Sequence, residues 1–247
     1  MVPENDEDYV YVSQLVQARG MRMGIEAHRR AKPYNMGTLY WQLNDCWPGI
    51  SWSSIDHFGN WKALHYEAKK AFENVLVSFE HKGDHVGIYI VNDLLNDIDK
   101  TLKVRLIDFQ GNELWNSSKA ISVPSNSSML VESFSIDRME EIQWNQVMLE
   151  AHYGDHSSTY FFVKPKSLAL ENGGLDIEIQ KVAEGFSIDL TSSVLQKNIM
   201  LMTPTDGHFS DNYFDLKPNE TKTVLFKTKA SSIEELTFKS INQLQTE

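Results

Sequence analysis

The predicted fold is decided by the stretch Gly37-Thr38-Leu39-Tyr40-Trp41-Gln42-Leu43-Asn44-Asp45-Cys46-Trp47-Pro48-Gly49-Ile50-Ser51-Trp52-Ser53-Ser54-Ile55-Asp56. Its apolar run at residues 38–43 predicts a strand, and the Trp-Pro-Gly triplet at residues 47–49 ends it. Asn44 and Asp45 follow directly. Parallel α/β folds place functional side chains at this end of a strand, so we expect a site here.

Helical patterns flank this predicted strand on both sides. Apolar residues recur every three or four positions over residues 9–28, with Asn5 or Asp6 as the N-cap and Pro33 beyond the end. A second helical stripe runs over residues 61–77. Gly20 and Gly24 lie one turn apart and predict close packing against a neighbouring element. Helix, strand and helix together are typical of the end of a (β/α)8 barrel.

Beyond the second helix the apolar period changes to two, which is typical of β-strands. Alternation is clear in Val86, Ile88 and Ile90, and it begins afresh beyond Gly173-Gly174. We therefore predict a multidomain α+β chain in which the end of a barrel (residues 1–76) precedes two immunoglobulin-like β-sandwiches (residues 77–166 and 167–247). We also expect stability to divide near Val77, with residues 1–76 poorly packed or self-associating.

The composition argues against two classes of partner. The chain has 247 residues and a formal net charge of −11, and residues 77–247 hold 15 basic against 25 acidic side chains. This acidity opposes binding to nucleic acid. No apolar run approaches the roughly 20 residues of a membrane span, and the acidic N-terminus is unlike a signal peptide. The single cysteine, Cys46, assigns no redox compartment.

The sequence offers no pattern for a cofactor or a metal ion. It contains neither a G-x-G-x-x-G nor a P-loop motif. His81 and His85, and likewise His152 and His156, are spaced by four residues but fall in predicted strands or turns without a third ligand. We therefore expect no metal site and no cofactor.

Two motifs carry a family resemblance. Residues 37–56, with Gly59-Asn60-Trp61-Lys62 and Leu64-His65-Tyr66 behind them, resemble the end of the catalytic barrel in β-mannosidases of glycoside hydrolase family 2. Ser210-Asp211-Asn212-Tyr213-Phe214-Asp215-Leu216, followed by Pro218, resembles the motif of their last domain. The resemblance implies the C-terminal part of a retaining, exo-acting enzyme on terminal β-D-mannose. A bacterial parent enzyme of this kind would be periplasmic or secreted.

The resemblance also implies roles for individual residues. Both catalytic glutamates of the family lie on earlier barrel strands, so no catalytic residue is expected in this chain. Trp41 would form the platform under the mannose ring, with a cis peptide bond to Gln42; the alternative is a tryptophan packed inside the barrel mouth. Asn44, Asp45 and Trp47 would line the pocket, although an Asn-Asp pair after a strand is also ordinary turn chemistry.

Two other functions stay open from the residues alone. One is a family 2 β-galactosidase or β-glucuronidase, which shares the barrel. The other is a non-enzymatic carbohydrate-binding or interaction module, for which the sandwiches would suffice. The expected partners are a β-mannoside oligosaccharide or glycan and the remainder of the parent enzyme chain.

Overall fold

The computed structural model describes Pro3 and residues 5–139 and 141–244 as a helical N-terminal part followed by two β-sandwiches. The helices are α1 (Asp6–Arg30), α2 (Ala63–Ala71) and the short α3 (Ile241–Leu244). The strands of the first sandwich are β1 (Val75–Lys82), β2 (His85–Asn92), β3 (Ile98–Asp108), β4 (Glu113–Val123), β5 (Ser127–Ser135), β6 (Val147–Tyr153) and β7 (His156–Phe161). Those of the second are β8 (Asp176–Val182), β9 (Gly185–Thr191), β10 (Gln196–Met202), β11 (His208–Phe209), β12 (Phe214–Leu216), β13 (Lys222–Lys227) and β14 (Thr237–Lys239).

Helix α1 follows its sequence pattern closely. Asn5 is the N-cap, and its side-chain oxygen accepts a hydrogen bond of 2.9 Å from the Asp8 amide. Tyr11, Ala18 and Ile25 of the predicted stripe are buried, as expected. The predicted close packing at Gly20 and Gly24 is wrong, because a Cβ at either position would meet no atom within 4 Å.

The predicted second helix is too long. Helix α2 ends at Ala71, and β1 already begins at Val75. Asn74 and the β-branched residues that follow favour an extended backbone, so the apolar stripe continues in a strand instead of another helical turn.

The predicted strand at residues 38–43 is also wrong. This segment forms no strand in the structure, and only an isolated parallel bridge joins Asn44 to Ile55. A barrel strand exists through its hydrogen bonds to neighbouring strands, and the described residues supply no such neighbours. The (β/α)8 barrel is accordingly not seen in this chain. The Trp41–Gln42 peptide bond is cis, as the resemblance implies.

Each sandwich has its own core of inward-facing residues. In the first, sheets β1-β2-β5 and β4-β3-β6-β7 enclose alternating residues such as Val86, Ile88 and Val104. In the second, sheets β12-β10-β14 and β11-β13-β9-β8 enclose residues such as Ile188 and Val224. The alternating pattern thus correctly predicted two mostly antiparallel sandwiches.

The motif at residues 210–216 fixes the second sandwich against the helices. Asn212 Oδ1 accepts hydrogen bonds from the Leu201 and Tyr213 amides, and Asn212 Nδ2 donates to the Leu201 carbonyl. Tyr213 takes a positive φ of 57°. The Tyr213 hydroxyl then donates to Gln14 Oε1 of α1 at 3.2 Å. The motif is therefore a docking element.

Ion pairs extend this docking across both helices. Arg22 of α1 contacts Glu26 at 2.6 Å and Glu67 of α2 at 2.7 Å. Lys70 of α2 contacts Asp211 of the second sandwich at 2.9 Å. On the other side, Ser78 of the first sandwich donates to Glu26 at 2.6 Å. The expectation of a poorly packed residue range 1–76 is thus wrong for α1 and α2, because both helices pack on the sandwiches.

No helix within the part of the chain that the structure describes is long and apolar enough to cross a membrane.

Candidate functional site

Residues 37–56 fold back on themselves to form a compact loop in front of α2. The Ser54 amide donates to the carbonyl of Leu43 at 3.1 Å, and the Ile55 amide donates to the same carbonyl at 2.8 Å. In return, the Asp45 amide donates to the Ile55 carbonyl at 3.2 Å. These backbone bonds hold the two halves of the loop together at the level of Asn44, where the sequence placed the candidate site.

Ser54 is a buried link between the loop and α2. Its hydroxyl donates to the Leu43 carbonyl at 2.9 Å and lies 3.0 Å from both the Tyr40 hydroxyl and His65 Nδ1. Tyr40 and His65 can each donate to the Ser54 hydroxyl or accept from it, depending on the hydroxyl rotor and the imidazole tautomer. Burial lowers the pKa of His65, which favours the neutral ring.

The second sandwich reaches the back of the loop through His208. The centroid of the Trp61 ring lies 4.2 Å from that of His65 and 4.2 Å from that of His208. Both contacts are edge-on, an arrangement that stabilises aromatic pairs. Because His65 also holds Ser54, the second sandwich supports the backbone beside Trp41 through a continuous set of contacts.

Asp45 points into the loop instead of out of it. Its side chain is only 10% exposed, and its carboxylate accepts hydrogen bonds from the Ser51 hydroxyl at 2.7 Å and from the Ser53 hydroxyl. Lys62 Nζ lies 3.5 Å from Asp45 Oδ2. Hydrogen bonds from Ser53 and Ser51 lower the pKa of Asp45, so this group is a carboxylate at neutral pH. It organises the turn and does not face the solvent.

The other three predicted site residues face outward. Trp41 is 75% exposed and Trp47 is 71% exposed. Asn44 is exposed as well, and its amide reaches the Asp45 carbonyl at 3.3 Å. The four predicted residues therefore lie on one loop, but their side chains point in different directions. Trp41, Asn44 and Trp47 are available to a ligand, whereas Asp45 is not.

The loop contains no pair of free carboxylates. Asp45 is occupied as described, and both oxygens of Asp56 accept hydrogen bonds from the turn that follows, from the amides of Phe58 and Asn60 and from the Asn60 side chain. Retaining glycosidases need two carboxyl groups about 5 to 5.5 Å apart that face the scissile bond. Residues 37–56 do not present such a pair.

Exposed apolar side chains surround the outward-facing tryptophans. Leu39 is 99% exposed, and Ile50, Trp52 and Phe58 are exposed too. An apolar surface of this density is typical of an interface that another part of a protein covers.

Several residues that build the site were not predicted from the sequence. Ser53, Ser54, Lys62 and His65 hold the loop in place. Ser53 and Ser54 stand in the quoted stretch, and their hydroxyl groups were the available signal. His208 gave no signal, since it lies almost 150 residues further along the chain and meets Trp61 only after both sandwiches have folded.

No described group of three or more His, Cys, Asp or Glu side chains, within residues 5–139 and 141–244, has an arrangement that could hold a metal ion.

Comparisons with known proteins agree with this architecture. Residues 84–167 match the Mannosidase Ig/CBM-like domain, and residues 170–244 match the Ig-fold domain of mannosidases. Over 93% of its length the chain is 27% identical to a β-mannosidase of Mus musculus, and over 89% it is 32% identical to a β-mannosidase of Capra hircus. The chain is thus similar to β-mannosidases over most of its length. It spans 29% of the mouse protein and 27% of the goat protein.

Solved structures show a similar architecture. The crystal structure of a β-D-mannosidase from Dictyoglomus thermophilum superposes with a TM-score of 0.85 and 25% identity, covering 97% of this chain and 30% of that one. An exo-chitosanase of Amycolatopsis orientalis superposes with a TM-score of 0.71 and 18% identity, covering 97% of this chain and 34% of that one. The second likeness shows a shared fold alone.

Proposed function

We propose that this chain is part of a retaining, exo-acting β-mannosidase that removes terminal β-D-mannose residues from an oligosaccharide or glycan. The observation that carries the proposal is the similarity to β-mannosidases over nine-tenths of the chain, which includes the loop at residues 37–56. The names of these relatives describe enzymes that hydrolyse glycosides. We propose the same chemistry for the parent of this chain.

In this proposal residues 1–76 are the C-terminal end of the catalytic barrel, and residues 77–166 and 167–247 are accessory sandwiches. The exposed apolar side chains around the loop support this division, because the remaining strands of a barrel would cover them. The remainder of the parent enzyme is thus the principal partner of the chain.

Trp41 is the proposed platform for the sugar. A large, flat and apolar ring suits the C–H face of a mannose ring, and the indole N–H can donate to one sugar oxygen. Asn44 and Trp47 form the proposed rim of the pocket. Asp45 has a supporting role in this account, since its hydrogen bonds to Ser51 and Ser53 shape the turn that presents Asn44 and Trp47.

The catalytic glutamates are proposed to lie on parts of the parent enzyme that precede this chain. We therefore expect the purified chain to release no product from an aryl β-mannoside above a boiled control, because it lacks both the nucleophile and the general acid. The matched positive sample is the complete polypeptide, which we expect to hydrolyse the aryl β-mannoside in preference to the β-galactoside and the β-glucuronide.

Two results would contradict the proposal. Turnover by the isolated chain that is lost on substituting one of its own carboxylates would show that the reaction occurs here. A complete polypeptide that prefers the β-galactoside or the β-glucuronide would show a different substrate class.

A further inference from the structure

The outer face of sheet β4-β3-β6-β7 carries a groove of about 670 Å3 that the proposed hydrolase function does not use. It is lined by Thr101, Lys103, Arg105, His152 and Gly154. The first three alternate along β3 with core residues, so their side chains leave the sheet on the side away from the first core. His152 comes from the neighbouring strand β6, directly opposite Lys103.

The groove is lined by hydrogen-bond donors. Lys103 makes no ion pair and no side-chain hydrogen bond with any described residue. Arg105 directs Nη2 to Glu150 at 2.8 Å and keeps its other guanidinium N–H groups for a ligand. Thr101 supplies a hydroxyl, and His152 uses Nε2 towards Glu150, at 3.7 Å. Arg105 and His152 therefore share one carboxylate, and Lys103 has no acceptor among the described residues.

The carboxylate beside the groove is already compensated. Glu150 is 1% exposed and lies 2.8 Å from Arg105 and 2.7 Å from Lys217 of the second sandwich. The β4 residues opposite Lys103 and Arg105 are the uncharged Ser118 and Asn116.

The Glu113 carboxylate, at the start of β4, accepts a hydrogen bond from the Asn116 side chain. Along β3 the other carboxylate of this face lies further from the donors. On β3 the next acidic residue of the same face is Asp99, four positions from Lys103 and thus about 13 Å along the strand. In a chain of net charge −11, the groove is a local surplus of positive charge.

We propose that this groove binds an oxyanion: a phosphate, sulfate or carboxylate group seated between Lys103, Arg105 and His152. Arginine and lysine next to each other recognise such groups through charge-assisted hydrogen bonds, and the Thr101 hydroxyl adds a neutral donor. The ligand carries its oxyanion either as a free inorganic ion or as a substituent of a sugar. The proposal does not depend on the proposed β-mannosidase activity.

The test is an NMR titration of the full chain with sodium phosphate at constant pH and ionic strength, with chloride as the balancing anion. We expect saturable shifts of backbone amides at residues 101–105 and 152–154. Lys103→Ala is expected to weaken phosphate binding about tenfold, the effect of losing one charge-assisted hydrogen bond. The control variant is Lys181→Ala, an exposed lysine on strand β8 of the second sandwich, which should leave the affinity unchanged.

Two further ligands distinguish the source of the oxyanion. D-Glucuronate carries a carboxylate on a sugar, and D-glucose is its neutral counterpart. Tighter binding of glucuronate than of phosphate assigns the groove to acidic sugars, and the reverse order assigns it to free oxyanions; both support the site. Three results would overturn the site. The first is equal chemical-shift changes with phosphate and chloride, and the second is an equal loss of phosphate affinity in the two lysine variants. The third is binding of glucose as tight as that of glucuronate.

Discussion

Replacing Arg22 by methionine is expected to lower the free energy of unfolding by about 3 kcal/mol, the range for breaking a buried ion pair from one side. Arg22 lies between two largely buried carboxylates, 2.6 Å from Glu26 and 2.7 Å from Glu67. Methionine keeps most of the aliphatic volume but leaves both carboxylates without their closest cation. Arg30 and Lys70 are each 3.8 Å from one of these carboxylates and offset only part of the loss.

Urea unfolding at neutral pH measures this effect. The control is Arg19→Met, a neighbouring and exposed position on α1, which should change the free energy by less than about 0.5 kcal/mol. In a Glu67→Gln background the cost of Arg22→Met should shrink, because one of the two carboxylates is already neutral. A cost for Arg22→Met no larger than that for Arg19→Met would show that α1 does not depend on these ion pairs for its docking.

Glu150→Gln is expected to cost about 3 kcal/mol at neutral pH and to remove a pH dependence of stability. Burial alone would raise the pKa of Glu150. Hydrogen bonds and charges from His152, Lys217 and Arg105 outweigh that effect and lower the pKa from 4.5 to about 2. A carboxyl group whose pKa is depressed by folding stabilises the protein above its unfolded pKa. That contribution is lost as the pH falls from about 4.5 towards 2.

The free energies of unfolding of the wild type and Glu150→Gln should therefore differ most near pH 7 and converge as the pH approaches about 2. The control is Glu178→Gln, an exposed glutamate on β8 with no ion-pair partner among the described residues. A difference between wild type and Glu150→Gln that stays constant with pH would mean that Glu150 contributes through shape and not through charge. Because Lys217 belongs to the second sandwich, the same measurement reports on the contact between the two sandwiches.

The parts of the fold that local pattern determines were predictable. The N-cap at Asn5 and the buried stripe of α1 follow from capping and a 3.6-residue period. The alternation of Val86, Ile88 and Ile90 follows from the requirement that one face of a strand packs on a core. Each of these features depends on neighbours in sequence, which a single chain displays directly.

The parts that failed depend on tertiary partners. Residues 38–43 have the composition of a strand, but a strand needs a paired neighbour, and none is present among the described residues. The stripe that runs from α2 into β1 has the spacing of a helix, yet the sheet formed with β2 takes Val75 into a strand. The spacing of Gly20 and Gly24 likewise predicted a close contact that the structure does not contain.

The candidate site was likewise predictable only in part. The sequence indicated which loop to consider, and Trp41 and Trp47 are exposed on it. Their contact with a sugar stays a prediction. The inward orientation of Asp45 could not be predicted, because it depends on how Ser51 and Ser53 fold back over it. The support of the loop by His208 through Trp61 likewise joins residues that are distant in sequence.

The most direct test of the proposed function is the effect of Trp41→Ala on the complete polypeptide that contains this chain. If Trp41 is the platform under the mannose ring, kcat/KM for an aryl β-mannoside should fall about 100-fold, which corresponds to roughly 3 kcal/mol of lost transition-state binding. The urea midpoint of the complete polypeptide is measured alongside, so that a loss of kcat/KM with an unchanged midpoint is assigned to the sugar contact. A Leu95→Ala variant, at an exposed position between β2 and β3, is the control and should retain most of the activity. A value of kcat/KM for Trp41→Ala within about twofold of the wild type would contradict the assignment.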